Sequence, residues 1–295
     1  MASGSSGRAR PRVKTWTRAL VVQVAIVMAL PVVLGAVLGF WEVNPVEGEL
    51  LSSVGSEAHL FLDSFPDASL VVEIAYQDSA GPPPGTSVAT LFDRINETCQ
   101  KSQVTLDEHA FTSSSSSFSE SDLLSLETSE RQHWPVPGTM SLFYLYLGGS
   151  FGPSSDTLGL AYRGSSIAIF AATIASSAGG QADEVTTTVL VHEFGHELGL
   201  VGIVGNAPNE DPAHPDHSND PSDVMYWAVD TTAITLLLNP PGTQFDSADL
   251  ADLSTVRTTP ILYELLPWVI LAAAFLGSAC LVVVDLRRRR RASGP

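Results

Sequence analysis

Two stretches of the chain are apolar without period and carry no charge: 19–41 and 265–284, of 23 and 20 residues. A helix needs about 20 apolar residues to cross a bilayer, so each is predicted to be a transmembrane helix. Between them the pattern breaks into shorter units. The run 69–76 (SLVVEIAY) is rich in β-branched and aromatic residues and predicts a strand, ended by the Gly-Pro-Pro-Pro-Gly loop at 81–85. Val88, Leu91, Phe92, Ile95 and Cys99 recur at helical spacing, predicting a helix capped by Thr86 or Ser87 and running to about Lys101. Further strands are predicted at 103–111, 140–147, 158–162 and 166–171. A short helix is expected at 120–132, with Leu123, Leu124 and Leu126 inward. A longer helix opens at Asp183-Glu184, where negative charge suits the helix dipole, and ends before Gly199. A last one, 248–256, is capped by Ser247. Strands alternating with helices predict a mixed α/β (α+β) domain. Residues 42–66 show no clear period and read as a linker from the membrane, with a pro-segment as the alternative.

Charge gives this layout an orientation. Arg8, Arg10, Arg12, Lys14 and Arg18 precede the first span, and Arg287 to Arg291 follow the second. Basic flanks stay on the cytoplasmic side. The chain thus divides into a basic tail (1–18), a span (19–41), an outer domain (42–264), a second span (265–284) and a second basic tail (285–295). The expectation is a two-pass cell-membrane protein, in contact with lipid through both spans, with cytoplasmic termini and an extracytoplasmic domain. The first run is longer than the 7–15 residues of a signal-peptide core, which favours an uncleaved anchor. The domain holds every acidic residue but Asp285, against five basic ones, Arg94, Lys101, Arg131, Arg163 and Arg257. That excess suits solubility and excludes a nucleic-acid footprint. Of two cysteines, Cys280 lies in the second span and Cys99 on the apolar face of a helix, so no internal disulfide is expected in the domain.

The candidate chemistry sits on the helix that opens at 183: His192-Glu193-Phe194-Gly195-His196. Four residues advance a helix by about 400°, so the two imidazoles project from one face a turn apart. They can take two corners of a tetrahedral zinc site. Glu193, beside them, can act as general base on a water in attack on a peptide carbonyl. The third protein ligand must come from elsewhere, and the stretch 209–225 offers His214, His217, Asp211, Asp216 and Asp220. Glu197 is expected to face solvent.

This stretch resembles the metzincin zinc peptidases, whose compact pattern is His-Glu-x-x-His-x-x-Gly-x-x-His. Gly199 stands in place, but Gly202 occupies the third-ligand position. The archaemetzincins continue with a histidine, a cysteine, four residues, a cysteine, one residue and a methionine. His217, Ser218, residues 219–222, Asp223, Val224 and Met225 fit that frame, displaced by 15 residues. The resemblance implies His217 as the third zinc ligand, with His214 as its rival, and Met225 as the Met-turn residue below the metal. Leu158 to Phe170 resembles the strand pair before the active helix. By that likeness Ser166, Ile167, Ala168, Ile169 and Phe170 form the edge strand that pairs with an extended substrate. Tyr226 is a weak candidate for oxyanion contact. Ser218 and Asp223 stand where the family has cysteines, so one catalytic zinc is expected and the family's structural zinc is not.

The expected protein is a membrane-anchored, archaemetzincin-like zinc metallopeptidase acting on a peptide or protein substrate. Its fold would be zincin-like: a mixed sheet with an active-site helix and a Met-turn, flanked by two transmembrane helices. Three alternatives stand beside it. One is a membrane-embedded protease of the site-2 or CAAX type, since 185–204 is apolar. Another is a gluzincin using Glu264. The last is an inactive module that only holds a peptide.

Overall fold

Seven of nine positions apolar or aromatic make β4 (Thr139–Leu147) the natural centre of a sheet, and almost all of it is buried. The computed structural model describes residues 52–204, 207–237 and 241–258. It surrounds β4 with β1 (Ser69–Gln77), β2 (Gln103–Phe111), β6 (Gly159–Arg163) and β7 (Ser166–Phe170), in the order β2-β1-β4-β7-β6. The first four are parallel and β6 runs antiparallel to β7, so the sheet is mixed. Short pairs add β3 (Ser117–Phe118) with β5 (Ser150–Phe151), and β8 (Glu210–Asp211) with β9 (His214–Ser218).

Side chains alternate across β4, and the core divides accordingly. Leu142, Tyr144 and Tyr146 join Leu70, Val72, Ile74, Ile167 and Ile169 on one face. There they meet α1 (Ala58–Leu62), α2 (Gly85–Thr98) and α5 (Ala182–Glu197). Phe143, Leu145 and Leu147 face the other way, with Ala168 and Phe170, towards Leu123 of α3 (Glu120–Glu130). The result is three layers, helix, sheet and helix. α4 (Ala171–Ala178) leads through a 3-10 turn into α5, and α6 (Ser247–Thr258) ends the described chain.

The predicted strands and helices of the domain are present, with four differences. The stretch read as a linker is part of the core from residue 58, where Ala58, Phe61 and Leu62 are buried. Ala171–Ala178, eight small residues with little pattern, is a helix. Pro84 rather than Thr86 or Ser87 caps α2. The fourth concerns the proposed substrate edge. β7, residues Ser166, Ile167, Ala168, Ile169 and Phe170, is bonded on both sides, to β4 and β6, and is fully buried. Its backbone groups are used, so it has none to offer a substrate. The outermost strand beside it is β6.

Both predicted spans and both basic tails lie outside the described residues. Among the described residues no helix is long and apolar enough to cross a membrane. α5 has 16 residues and packs against α2, α4 and β6. The apolar stretch that starts at Val185 is thereby explained: from there to Glu197 every residue but Thr187 is buried by protein.

Candidate metal and catalytic site

α5 carries its functional residues in its last two turns, where the burial is nearly complete. His192 is inaccessible, Glu193 1% exposed and His196 7% exposed. The helix stops at Glu197, and Gly199 comes next but one with φ +75, a left-handed turn that glycine takes without strain. Two carboxylates fix the backbone on either side of the insertion. Asp252 of α6 accepts from the N–H of Val201 at 2.8 Å, and Asp223 accepts from that of Met225 at 2.9 Å.

The inserted segment folds back through the β8–β9 hairpin. Ser218 N–H donates to Met225 O at 2.8 Å, laying β9 along the turn that carries Met225. The preceding residue, His217, reaches the helix histidines. Its ring centroid lies 5.3 Å from that of His192 and 5.0 Å from that of His196. One nitrogen from each of His192, His196 and His217 falls within 4.8 Å of the others. His214 is elsewhere: it stacks on Trp227 at 4.3 Å and bonds the Asp211 carboxylate at 2.7 Å. Tyr226 leans on the same tryptophan, 5.6 Å away.

The hydrogen-bond partners set the tautomers. His192 Nδ1 donates to Val224 O at 2.7 Å, which leaves Nε2 as an acceptor. That atom lies 3.0 Å from His196 Nε2. His217 Nδ1 donates to Pro215 O at 2.9 Å, and its Nε2 faces an Asp230 oxygen at 3.4 Å. Burial and the neighbouring imidazoles hold His196 well below the usual histidine range; burial holds His192 at about 4. Both are therefore neutral at pH 7, as a metal requires of its imidazole ligands. Burial works the same way on His217, but the Asp230 carboxylate outweighs it and raises that group.

Burial, with Asp230 adding to it, pushes Glu193 well above the usual carboxylate range. A cation in the site would reverse that. One glutamate oxygen, Oε2, accepts from the N–H of Ala161 on β6 at 2.8 Å. The other, Oε1, is buried without a partner, as is His196 Nδ1. Buried polar atoms are nearly always paired, and two orphans in one place mark a site shaped for something more. Three imidazoles at this spread, two of them held neutral by burial, are the donor set of a single tetrahedral zinc, so the residues present fit that ion.

Two glycines make room for these groups, and the motif alone identifies neither. A Cβ at Gly159 would stand 2.3 Å from Glu193 Oε1, and one at Gly195 would stand 2.3 Å from Met225 Sδ. The second contact places the methionine directly beneath the histidine-bearing turn, fully buried. A glycine inside a strand signals close approach, which is the clue Gly159 offers. Glu197 is fully buried and does not face solvent. Its charge bears on the Tyr144 hydroxyl, which donates to Leu190 O at 3.2 Å.

No protein-family model matches the chain, and no curated protein matches it by sequence. Solved structures resemble it distantly. The archaemetzincin of Methanopyrus kandleri superposes with a TM-score of 0.45 at 15% identity, over 64% of this chain and 96% of that one. The archaemetzincin of Archaeoglobus fulgidus, in complex with malonate, gives 0.36 at 13%, over 62% and 98%. Metalloproteinase-II of Bacteroides fragilis gives 0.39 at 15%, over 66% and 54%.

Proposed function

We propose that the chain is a zinc-dependent peptidase, anchored by its two apolar segments with the catalytic domain outside the membrane. The observation that carries this reading is the convergence of one nitrogen each from His192, His196 and His217, with an orphaned Glu193 oxygen beside them. These three histidines would hold the zinc. Bound there, it polarises a water and lowers its pKa towards 7.

The remaining chemistry belongs to the chain. Glu193 Oε1 takes a proton from the attacking water and hands it to the leaving amine nitrogen. Ala161 N–H holds the other oxygen and fixes the carboxylate's direction. β6 is the outer strand of the sheet at this point, and an extended peptide can add to such an edge through main-chain hydrogen bonds. That geometry favours a peptide or protein substrate. Val224 O orients His192, and Met225 supports the turn from below. Enclosure of α5 by α2, α4 and β6 speaks against a membrane-embedded protease. The intact Glu193, aimed at the site, speaks against an inactive binding module.

The test is Glu193→Gln in the full chain. Zinc content should stay at about one ion per chain, while hydrolysis of a mixed peptide library, followed by mass spectrometry, should fall by at least about 100-fold. Retained hydrolysis would refute the role of Glu193.

A further inference from the structure

We infer that Asp223, Asp246 and Asp249 form a second metal site, for an oxygen-preferring divalent cation of the calcium class. It would fasten the turn carrying Val224 and Met225 to the first turn of α6. One carboxylate oxygen from each residue lies within 4.8 Å of the others. Asp249 is inaccessible and Asp223 only 2% exposed, while Asp246 is half-buried and opens the cluster towards solvent.

The hydrogen bonds leave a specific remainder. Asp246 Oδ1 caps α6, accepting from Ala248 N at 2.6 Å and Asp249 N at 2.9 Å. Asp249 Oδ2 accepts in turn from Asp246 N at 3.2 Å, and Asp223 Oδ1 accepts from Met225 N. Ordinary capping and turn chemistry end there. Asp223 is held by the Ser218 side chain as well, and its carboxyl meets that of Asp249, where Asp249 Oδ1 and Asp223 Oδ2 remain buried with no N–H or O–H donor. Two orphaned carboxylate oxygens at one point are the signature of a missing positive partner. The charges acting on Asp249 are those of Asp223 and Asp246, both negative.

Two occupants would satisfy these oxygens, a shared proton or a metal ion. A proton between Asp223 and Asp249 needs only those two. The third carboxylate, on the solvent side, distinguishes a cation site. Three carboxylates supply only oxygen, the ligand of calcium rather than of zinc, and the open side leaves room for water to complete a coordination number of about 6–8. The acidic domain around it concentrates cations. A bond at this point bears on the first site, since Phe245, next to Asp246, packs with Met225 beneath Gly195.

The experiment is calcium titration of the zinc-loaded full chain by calorimetry, with thermal unfolding in calcium and in a calcium-selective chelator. The wild type should take up one calcium in the range of about 10⁻⁵–10⁻³ M and gain about 5 °C at saturation. Asp249→Asn keeps the shape and the N–H contact but loses the charge. It should weaken calcium binding at least tenfold and abolish the thermal gain, while its calcium-free melting temperature stays at or above the wild type's. Asp223→Asn should behave alike and serves if the first variant does not fold. No calcium uptake by the wild type at millimolar concentrations would overturn the site in favour of a shared proton. Uptake that survives both substitutions would place the ion elsewhere and overturn it equally. Zinc content is read separately, so failure here leaves the reading of the histidine site untouched.

Discussion

Two buried glutamates face the β6–β7 hairpin from opposite sides of the sheet, and they have opposite fates. Glu127, on α3, is fully enclosed and fully answered. Its Oε1 accepts from Arg131 at 2.9 Å and Ser166 at 2.6 Å, and its Oε2 from Arg163 at 2.9 Å. Arg131 goes on to Ser165 Oγ, Ser141 and His133 O, and lies over Trp134 and Phe143. Glu193, on α5, is equally buried but receives a single backbone N–H and keeps one oxygen without a partner, beside the imidazoles of His192, His196 and His217. Removing a carboxylate from water costs several kcal/mol, and only partners offset it. Glu127 has its partners in the chain and serves as a tie between helix and hairpin. Glu193 lacks them, and the deficit is the sign of a site that awaits a ligand. Burial of charge alone does not mark function; burial without satisfaction does.

The sharpest contrast is between removing each carboxylate. Glu193→Gln should cost about 10²–10⁴-fold in peptide hydrolysis while leaving the melting temperature within a few degrees. Glu127→Ala should do the reverse. It strands two buried guanidinium groups, costs about 3–5 kcal/mol of stability, and leaves the zinc content of the folded fraction unchanged. Denaturant unfolding with metal analysis reads both, and a Glu127→Ala chain as stable as wild type would break the comparison. A smaller effect tests the space around Glu193. Gly159→Ala places a methyl group on its Oε1 and should slow turnover about 10–100-fold, with zinc retained.

The smallest effect concerns the acidic cluster, a third kind of buried carboxylate. Burial, with the Asp223 charge second, raises the Asp249 carboxyl to about 8 from its ordinary 3.8. A raised acid binds its proton more tightly folded than unfolded, so its contribution is complete below pH 3.8 and is lost as pH rises through about 8. In chelator, the melting temperature should therefore fall between about pH 5 and pH 8.5, and less steeply in Asp249→Asn. Saturating calcium should flatten the fall. An identical slope in wild type and variant would remove Asp249 from the account.

Much of this architecture is legible in the sequence because it depends on local pattern. β1, α2, β4 and α5 arise from periodicity, and Gly199 marks the end of α5. The histidine pair and its glutamate are likewise a matter of spacing on one helix. What local pattern leaves out is order across the sheet and pairing across long gaps. β7, expected at the edge, lies inside. Its uninterrupted Ser-Ile-Ala-Ile-Phe run, against the mixed Gly-Leu-Ala-Tyr-Arg of β6, is the available signal, since strands buried on both faces read as continuous apolar runs. α4 is hidden because Ala-Ala-Thr-Ile-Ala-Ser-Ser-Ala has neither a strong apolar stripe nor a cap. Glu127 and Glu197 look like solvated helix charges, because nothing local foretells Arg163, 36 residues from Glu127. Asp223 and Asp249 belong to different elements, and only the packing of α6 against the Met225 turn brings them together.

His217, carried in by the β8–β9 hairpin, brings a third imidazole to the pair that His192 and His196 form. X-ray absorption at the zinc edge, with metal analysis, tests it on the wild-type full chain and on His217→Ala and His214→Ala. The expected result is about one zinc per chain, held by three imidazole nitrogens, lost in His217→Ala and kept in His214→Ala. A wild-type chain that binds no zinc, or a zinc that survives loss of His217 and vanishes with His214, would contradict it.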